Sequence, residues 1–72
     1  MKLIDLQYML NHETISIFAA STPIKELDLK RGTFRVINMD ELSKKYPEVL
    51  DRNIYHLSVK DGLITFDLGD IY

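Results

Sequence analysis

The chain has 72 residues and a mass of 8.4 kDa, which allows one small α+β domain over residues 1–72. Nine Lys and Arg against eleven Asp and Glu give a net charge of −2, which does not favour nucleic acid as a partner. The lack of cysteine excludes disulfides, thiolate metal sites and cysteine nucleophiles. The N-terminus has one lysine, then Asp5 and no long apolar run, so we expect no signal peptide. Because no apolar stretch approaches 18 residues, we expect no membrane-spanning segment and no membrane partner.

The first predicted element is a short helix over residues 3–11. Its apolar stripe recurs at helical spacing: Leu3, Leu6 and Leu10. Asn11 and His12 are expected to end the helix, because Asn tolerates the left-handed backbone found at helix C-termini.

Three strands are predicted next, over residues 14–20, 25–30 and 33–38, since each run carries alternating apolar residues between turn residues. Ile15 and Ile17 are expected to face the core. An even-numbered turn at Gly32 would join the second and third strands into a hairpin. Its facing residues would be Leu29 with Phe34, Leu27 with Val36 and, on the other face, Asp28 with Arg35.

Asn38 followed by Glu41 resembles a capping box, which predicts a helix over residues 39–46. Pro47 should end this helix or begin a new turn, because proline cannot donate a backbone hydrogen bond. Two apolar residues of that turn are expected to cap the core, Val49 and Leu50.

The last hairpin carries the strongest local signal. Residues 54–60 and 63–68 flank Asp61-Gly62, a dipeptide typical of a two-residue type I′ turn. One face would then pair Val59 with Ile64, Leu57 with Phe66 and Tyr55 with Leu68. The other face would pair His56 with Asp67, Ser58 with Thr65 and Lys60 with Leu63. The predicted fold is a two-layer α+β domain, with an antiparallel sheet of about five strands in two amphipathic hairpins, covered by two short helices.

Two groups of side chains could carry chemistry. His56, Ser58 and Asp67 share a sheet face as in a hydrolytic triad, but no Gly-rich elbow or sheltered cleft accompanies them. His12 and Glu13 could join His56 and Asp67 as metal ligands, but the local spacing typical of zinc sites is lacking. We therefore expect a protein that is not an enzyme and uses no cofactor.

Two surfaces are candidates for binding. Tyr8 and Tyr72, with Ile71 beside the latter, are candidates for contact with a protein partner or a second copy, because tyrosine is a common interface anchor. We expect the apolar pair at 71–72 either to pack back onto the body or to meet a partner. The alternative is a nucleic-acid-binding accessory protein that uses a basic side formed by Lys30, Arg31, Arg35 and Arg52.

Two stretches resemble small uncharacterised proteins of phages and prophages of Gram-positive bacteria. The first is LIDLQYMLNHETISIF, and the second is KKYPEVLDRNIYHLSVKDGLITFDL. The similarity covers the two ends of the chain, about two thirds of its length, and residues 20–38 depart from the pattern. The resemblance implies a non-enzymatic accessory protein in the bacterial cytoplasm that acts by binding a host or phage protein, in some cases to inhibit a host system. It identifies no functional residue.

Overall fold

Four strands form one mixed sheet in the order β2-β1-β4-β3 in the computed structural model, which describes residues 1–70. They are β1 (Thr14–Phe18), β2 (Phe34–Asn38), β3 (Ile54–Lys60) and β4 (Leu63–Leu68). β1 runs antiparallel to β2 and parallel to β4, and β3 and β4 form an antiparallel hairpin. The α+β class is confirmed, but the described sheet has four strands instead of about five and contains one parallel pair.

Two α-helices lie within residues 1–70, as predicted. A 3-10 turn at Leu3–Leu6 continues into α1 (Gln7–Leu10), and α2 (Met39–Lys45) is followed by a 3-10 turn at Pro47–Asp51.

The helix ends follow the local chemistry of the sequence. The Asn38 side chain caps α2 by accepting a hydrogen bond from the Asp40 backbone N–H at 2.9 Å. After α1, it is His12 that adopts the left-handed backbone, with φ of 69°, while Asn11 is extended. Pro47 begins a new turn, which buries Val49 as predicted.

The predicted strand over residues 25–30 is wrong. Residues Lys25–Leu27 form a 3-10 turn, and Asp28 takes a left-handed backbone with φ of 54°. The loop closes on itself, because Ile24 and Leu29 exchange backbone hydrogen bonds of 3.0 Å. Leu29 is buried although the strand does not form.

β2 therefore pairs with β1, and the predicted hairpin between residues 25–30 and 33–38 does not form. Val36 lies opposite Ser16, and Phe34 lies opposite Phe18. The predicted partners of this hairpin are all wrong: Leu29 with Phe34, Leu27 with Val36, and Asp28 with Arg35. The physical reason is that β2 carries apolar residues on both of its faces, and the face with Ile37 is the one that packs into the core.

The β3–β4 hairpin is confirmed. Asp61 and Gly62 have φ of 54° and 78°, as a type I′ turn requires. The register agrees from Lys60–Leu63 back to His56–Asp67. It fails only at Tyr55, where a bulge places Ile54 opposite Leu68 and leaves Tyr55 exposed.

The helices and turns cover one face of the sheet, called here the covered face. The strand residues of this face that are buried in the core are Ile15, Ile17, Ile37, Phe66 and Leu68. The helices and turns add Leu3, Leu10, Met39, Leu42, Val49 and Leu50. Full burial of each large apolar side chain stabilises the fold by about 1.5–3 kcal/mol. The opposite face, called the open face, has no layer over it among residues 1–70.

Candidate interaction surface on the open face

A shallow groove runs across the open face. Its floor is formed by Ser16 on β1 and Thr65 on β4, which are neighbours in the parallel register. Both are buried although no helix covers them, because larger side chains stand around them. These surrounding side chains are Phe18, Phe34, Val36, Lys60, Asp61 and Leu63. The groove therefore combines a small polar floor with largely apolar walls.

The wall on the β2 side is the most accessible part of the groove. Phe34 is 62% exposed and Val36 is 46% exposed, on an outer strand of the sheet. Leu63 and Phe18 are half-buried and complete the apolar lining. A contiguous apolar patch with a few polar groups beside it is the usual composition of a binding surface.

The backbone of β2 offers hydrogen bonds at the same place. Two backbone hydrogen bonds show which opposite residues of β1 and β2 form hydrogen-bonded pairs. They are Met39 N–H to Glu13 C=O at 2.9 Å and Ala19 N–H to Thr33 C=O at 2.9 Å. Hydrogen-bonded pairs alternate along an antiparallel ladder, so Ile37 and Arg35 bond to β1. The N–H and C=O groups of Phe34 and Val36 then point away from β1, towards the free side of the sheet.

The predicted contact residues lie elsewhere. Tyr8 is exposed on α1, in the helical layer, one turn from the exposed Ile4. It does not adjoin the groove. Ile71 and Tyr72 lie outside the described residues.

The predicted hydrolytic set lies on the open face, at the edge of the sheet. His56 is opposite Asp67 as expected, and Ser58 follows on the same face. The Asp67 carboxylate accepts a hydrogen bond from the Ala20 backbone N–H at 3.3 Å. His56 is exposed on the outer strand, so the arrangement offers no sheltered cleft for a reacting group.

The predicted metal ligands are dispersed. His12, just after α1, has its Nδ1 atom 2.5 Å from a carboxylate oxygen of Asp40 in α2. Within residues 1–70, no group of three or more His, Asp or Glu side chains is placed to hold a metal ion.

The predicted basic side is corrected at one of its four residues. Lys30 and Arg31 are exposed in the turn before β2, and the Arg35 guanidinium lies 5.4 Å from the centre of the Tyr46 ring. Arg52, in contrast, is only 6% exposed, because it is engaged in a buried ion pair. Arg52 therefore cannot present its charge to a phosphate backbone.

This ion pair joins three separate parts of the chain. Arg52 Nε and Nη2 donate to the two carboxylate oxygens of Glu26 at 2.8 and 3.0 Å, and Nη1 donates to the Gly69 carbonyl at 2.8 Å. These hydrogen bonds lower the pKa of Glu26 below its usual value of 4.5, against the opposing effect of burial. The same contacts raise the pKa of Arg52. The loop before β2 and the end of β4 are thereby tied together.

Comparison of the chain with protein-family models, with curated proteins and with solved structures found no match. None of the helices within residues 1–70 is long and apolar enough to cross a membrane.

The groove residues were missed as a site because sequence reasoning assigned two of them to the core. Phe34 and Val36 were placed inward by the assumed hairpin with residues 25–30. One sequence feature does indicate the open face: in TISIF, Phe18 falls in the opposite phase to Ile15 and Ile17. A large aromatic residue in the polar phase of a strand is a sign that the second face also makes contacts.

Proposed function

We propose that this protein is a non-enzymatic interaction module that binds an extended segment of another protein along β2 and the groove. The observation that carries the proposal is the coincidence, at Phe34 and Val36, of exposed apolar side chains with outward-pointing backbone groups. A strand added to β2 would hydrogen bond to these two residues. Its side chains opposite them would lie on the open face, beside the apolar wall.

The chemistry of the partner segment follows from this geometry. Alternate residues should be apolar, because side chains have a period of two along a strand and every second one meets the groove. Acidic residues should flank the segment, because Lys30 and Arg31 are exposed at the start of β2. The resemblance to phage and prophage proteins supports a role as a cytoplasmic accessory protein whose partner is a host or phage protein. Nucleic acid is the weaker candidate, since Arg52 is buried and Arg35 packs against Tyr46.

The test is selection of peptides from a random extended library, followed by affinity measurement and NMR mapping on the labelled protein. We expect selected peptides to carry apolar residues at alternate positions and to shift the amide signals of β2 and of Thr65. Phe34→Ser should weaken binding by about tenfold or more. Tyr8→Ser is the matched control, because it also removes an exposed aromatic side chain, and it should leave the affinity unchanged.

Two outcomes would contradict the proposal. One is that the NMR shifts fall on α1 and that Tyr8→Ser is the damaging variant, which would assign binding to the helical layer. The other is that a library of extended peptides yields no binder while short duplex or single-stranded DNA binds at low salt.

A further inference from the structure

We infer that the floor of the groove is a binding site for a single phenol group, supplied by a tyrosine side chain of the partner segment. The inference rests on the proposed function for the source of the phenol, and it adds the feature by which that segment is recognised. The site itself follows from the two buried hydroxyls at the floor of the groove, on Ser16 and Thr65.

The hydroxyl of Ser16 is buried without an internal partner. Ser16 is only 5% exposed, and within residues 1–70 its hydroxyl makes no hydrogen bond to another protein group. The oxygen is open to the groove, because no side-chain oxygen in this part of the chain is both sealed from solvent and unpaired. A hydrogen-bonding group is therefore available to a ligand that enters the groove.

The hydroxyl of Thr65 is a second, weakly engaged group at the same place. Thr65 is 9% exposed, and its hydrogen bond to the Leu63 carbonyl is 3.5 Å long, which is beyond the usual range. Ser16 and Thr65 are neighbours in the parallel pairing of β1 and β4, and adjacent strands lie about 4.8 Å apart. One polar group placed between them can therefore reach both hydroxyls.

The walls of the groove favour an aromatic ring behind that polar group. Phe18, Phe34 and Leu63 line the groove, and aromatic rings pack well against each other in offset or edge-to-face arrangements. The groove has a volume of about 90 Å³. Since about 10–15 Å³ of such space holds one water molecule, there is room for about six water-sized groups, which is the size of a phenol.

The charges that line the groove favour a neutral ligand group. Lys60 and Asp61 are adjacent, exposed and of opposite sign, so an anion or a cation would be attracted by one and repelled by the other. A ligand hydroxyl can donate one hydrogen bond and accept another, which matches two protein hydroxyls that can each do either. The tyrosine side chain combines such a hydroxyl with an aromatic ring.

The distance from the added strand also selects tyrosine. A segment paired with β2 would lie two strand spacings, about 10 Å, from β1. Short side chains such as valine or threonine cannot span this distance. A tyrosine side chain can lie across β2 beside Val36, which is opposite Ser16, and bring its hydroxyl to the floor of the groove.

The test compares N-acetyltyrosine amide with N-acetylphenylalanine amide, which differ only in the hydroxyl, by NMR titration of the labelled protein. The tyrosine derivative should shift the amide signals of Ser16 and Thr65 and bind about fivefold more tightly. Ser16→Ala and Thr65→Val should each reduce this preference and leave the binding of the phenylalanine derivative unchanged. Thr14→Val is the matched control, because it removes an exposed hydroxyl from the open face of β1 outside the groove, and it should keep the preference.

Two outcomes would overturn the inference. One is equal affinity of the wild-type protein for the two derivatives, and the other is a preference for tyrosine that survives both Ser16→Ala and Thr65→Val. Peptides selected for binding along β2 should likewise lose about fivefold in affinity when their tyrosine is replaced by phenylalanine. Peptides that bind along β2 without this loss would refute the phenol site and leave the proposed function standing. If no extended peptide binds but N-acetyltyrosine amide does, the proposed function fails and the phenol site stands.

Discussion

Substitution of Glu26 by Gln tests whether the Arg52–Glu26 pair is a main element of the fold's stability. The substitution keeps the size of the side chain but removes its charge. Arg52 would then keep its hydrogen bond to the Gly69 carbonyl, but its partly buried charge would lose its counter-ion. The pair is bidentate, and its two side chains are only 7% and 17% exposed.

The size of the effect follows from this burial. Removing one partner of a buried ion pair costs about 3–5 kcal/mol. Since Glu26 retains some contact with solvent, we expect the lower end, about 3 kcal/mol. A domain of this size has only about 3–5 kcal/mol of net stability from a single core. The melting temperature should fall by about 12–24 °C, at about 4–8 °C per kcal/mol.

The matched control is Glu41→Gln. Glu41 pairs with Lys45 at 3.1 Å one helical turn away, but these side chains are 43% and 65% exposed. A surface pair of this kind contributes about 0.3–0.5 kcal/mol. The identical chemical change should therefore shift the urea midpoint only slightly. Equal losses of stability in the two variants would refute the argument that burial makes the Arg52–Glu26 pair dominant.

The pH dependence gives an independent measure of the same pair. The pKa of Glu26 is lowered in the folded protein, so the unfolded state binds the proton more readily. The stabilisation is therefore fully present above the unfolded pKa, near 4.5, and is lost as the pH falls through the lower folded value. Urea unfolding should show that the difference in unfolding free energy between wild type and Glu26→Gln is smaller below pH 4.5 than at neutral pH. A difference that does not depend on pH would assign the loss to packing.

Three further substitutions test local features of the fold by thermal unfolding. Asn38→Ala removes the cap of α2 and should cost about 1 kcal/mol, and an unchanged melting temperature would mean that the cap is replaced by water. Gly62→Ala should cost about 1 kcal/mol because of its φ of 78°, although its added Cβ meets no neighbour; a neutral result would contradict the type I′ turn. Gly69→Ala would place a Cβ against the Tyr55 ring, closer than van der Waals contact allows, and should destabilise by about 1 kcal/mol. In a Tyr55→Ala background that last effect should vanish, and its persistence would show that the cause lies in the backbone.

The β3–β4 hairpin could be predicted because its determinants are local. Asp61 and Gly62 specify the turn, the turn specifies the register, and each pair then follows by counting. The one error, at Tyr55, arises from a bulge that no turn residue signals. The Asn38 cap of α2 and the turn at Pro47 were equally local and equally predictable. The capping box with Glu41 was not confirmed, because Glu41 pairs with Lys45.

The pairing of β2 could not be predicted in the same way, because it depends on a long-range competition. Residues 25–30 alternate like a strand, but the loop from Ile24 to Leu29 closes on its own backbone. β1 then becomes available to β2 on one side and to β4 on the other. Nothing in the alternation of TFRVIN distinguishes a core containing Val36 from one containing Ile37. The candidate groove was missed for the same reason. Its most exposed wall is formed by Phe34 and Val36, which the predicted hairpin placed in the core.

The short helices explain why the covered face is left exposed along β3. α1 has four residues and α2 has seven, so they are about 6 Å and 10 Å long. The outer strands of a four-stranded sheet lie about 14 Å apart. A layer of this size covers β1 and β4, whose Ile17 and Phe66 are fully buried, but leaves β3 uncovered. Leu57 and Val59 of β3 therefore remain exposed on the covered face. Phe34 and Val36 of β2 are exposed for a different reason, because they lie on the open face, over which residues 1–70 place no second layer.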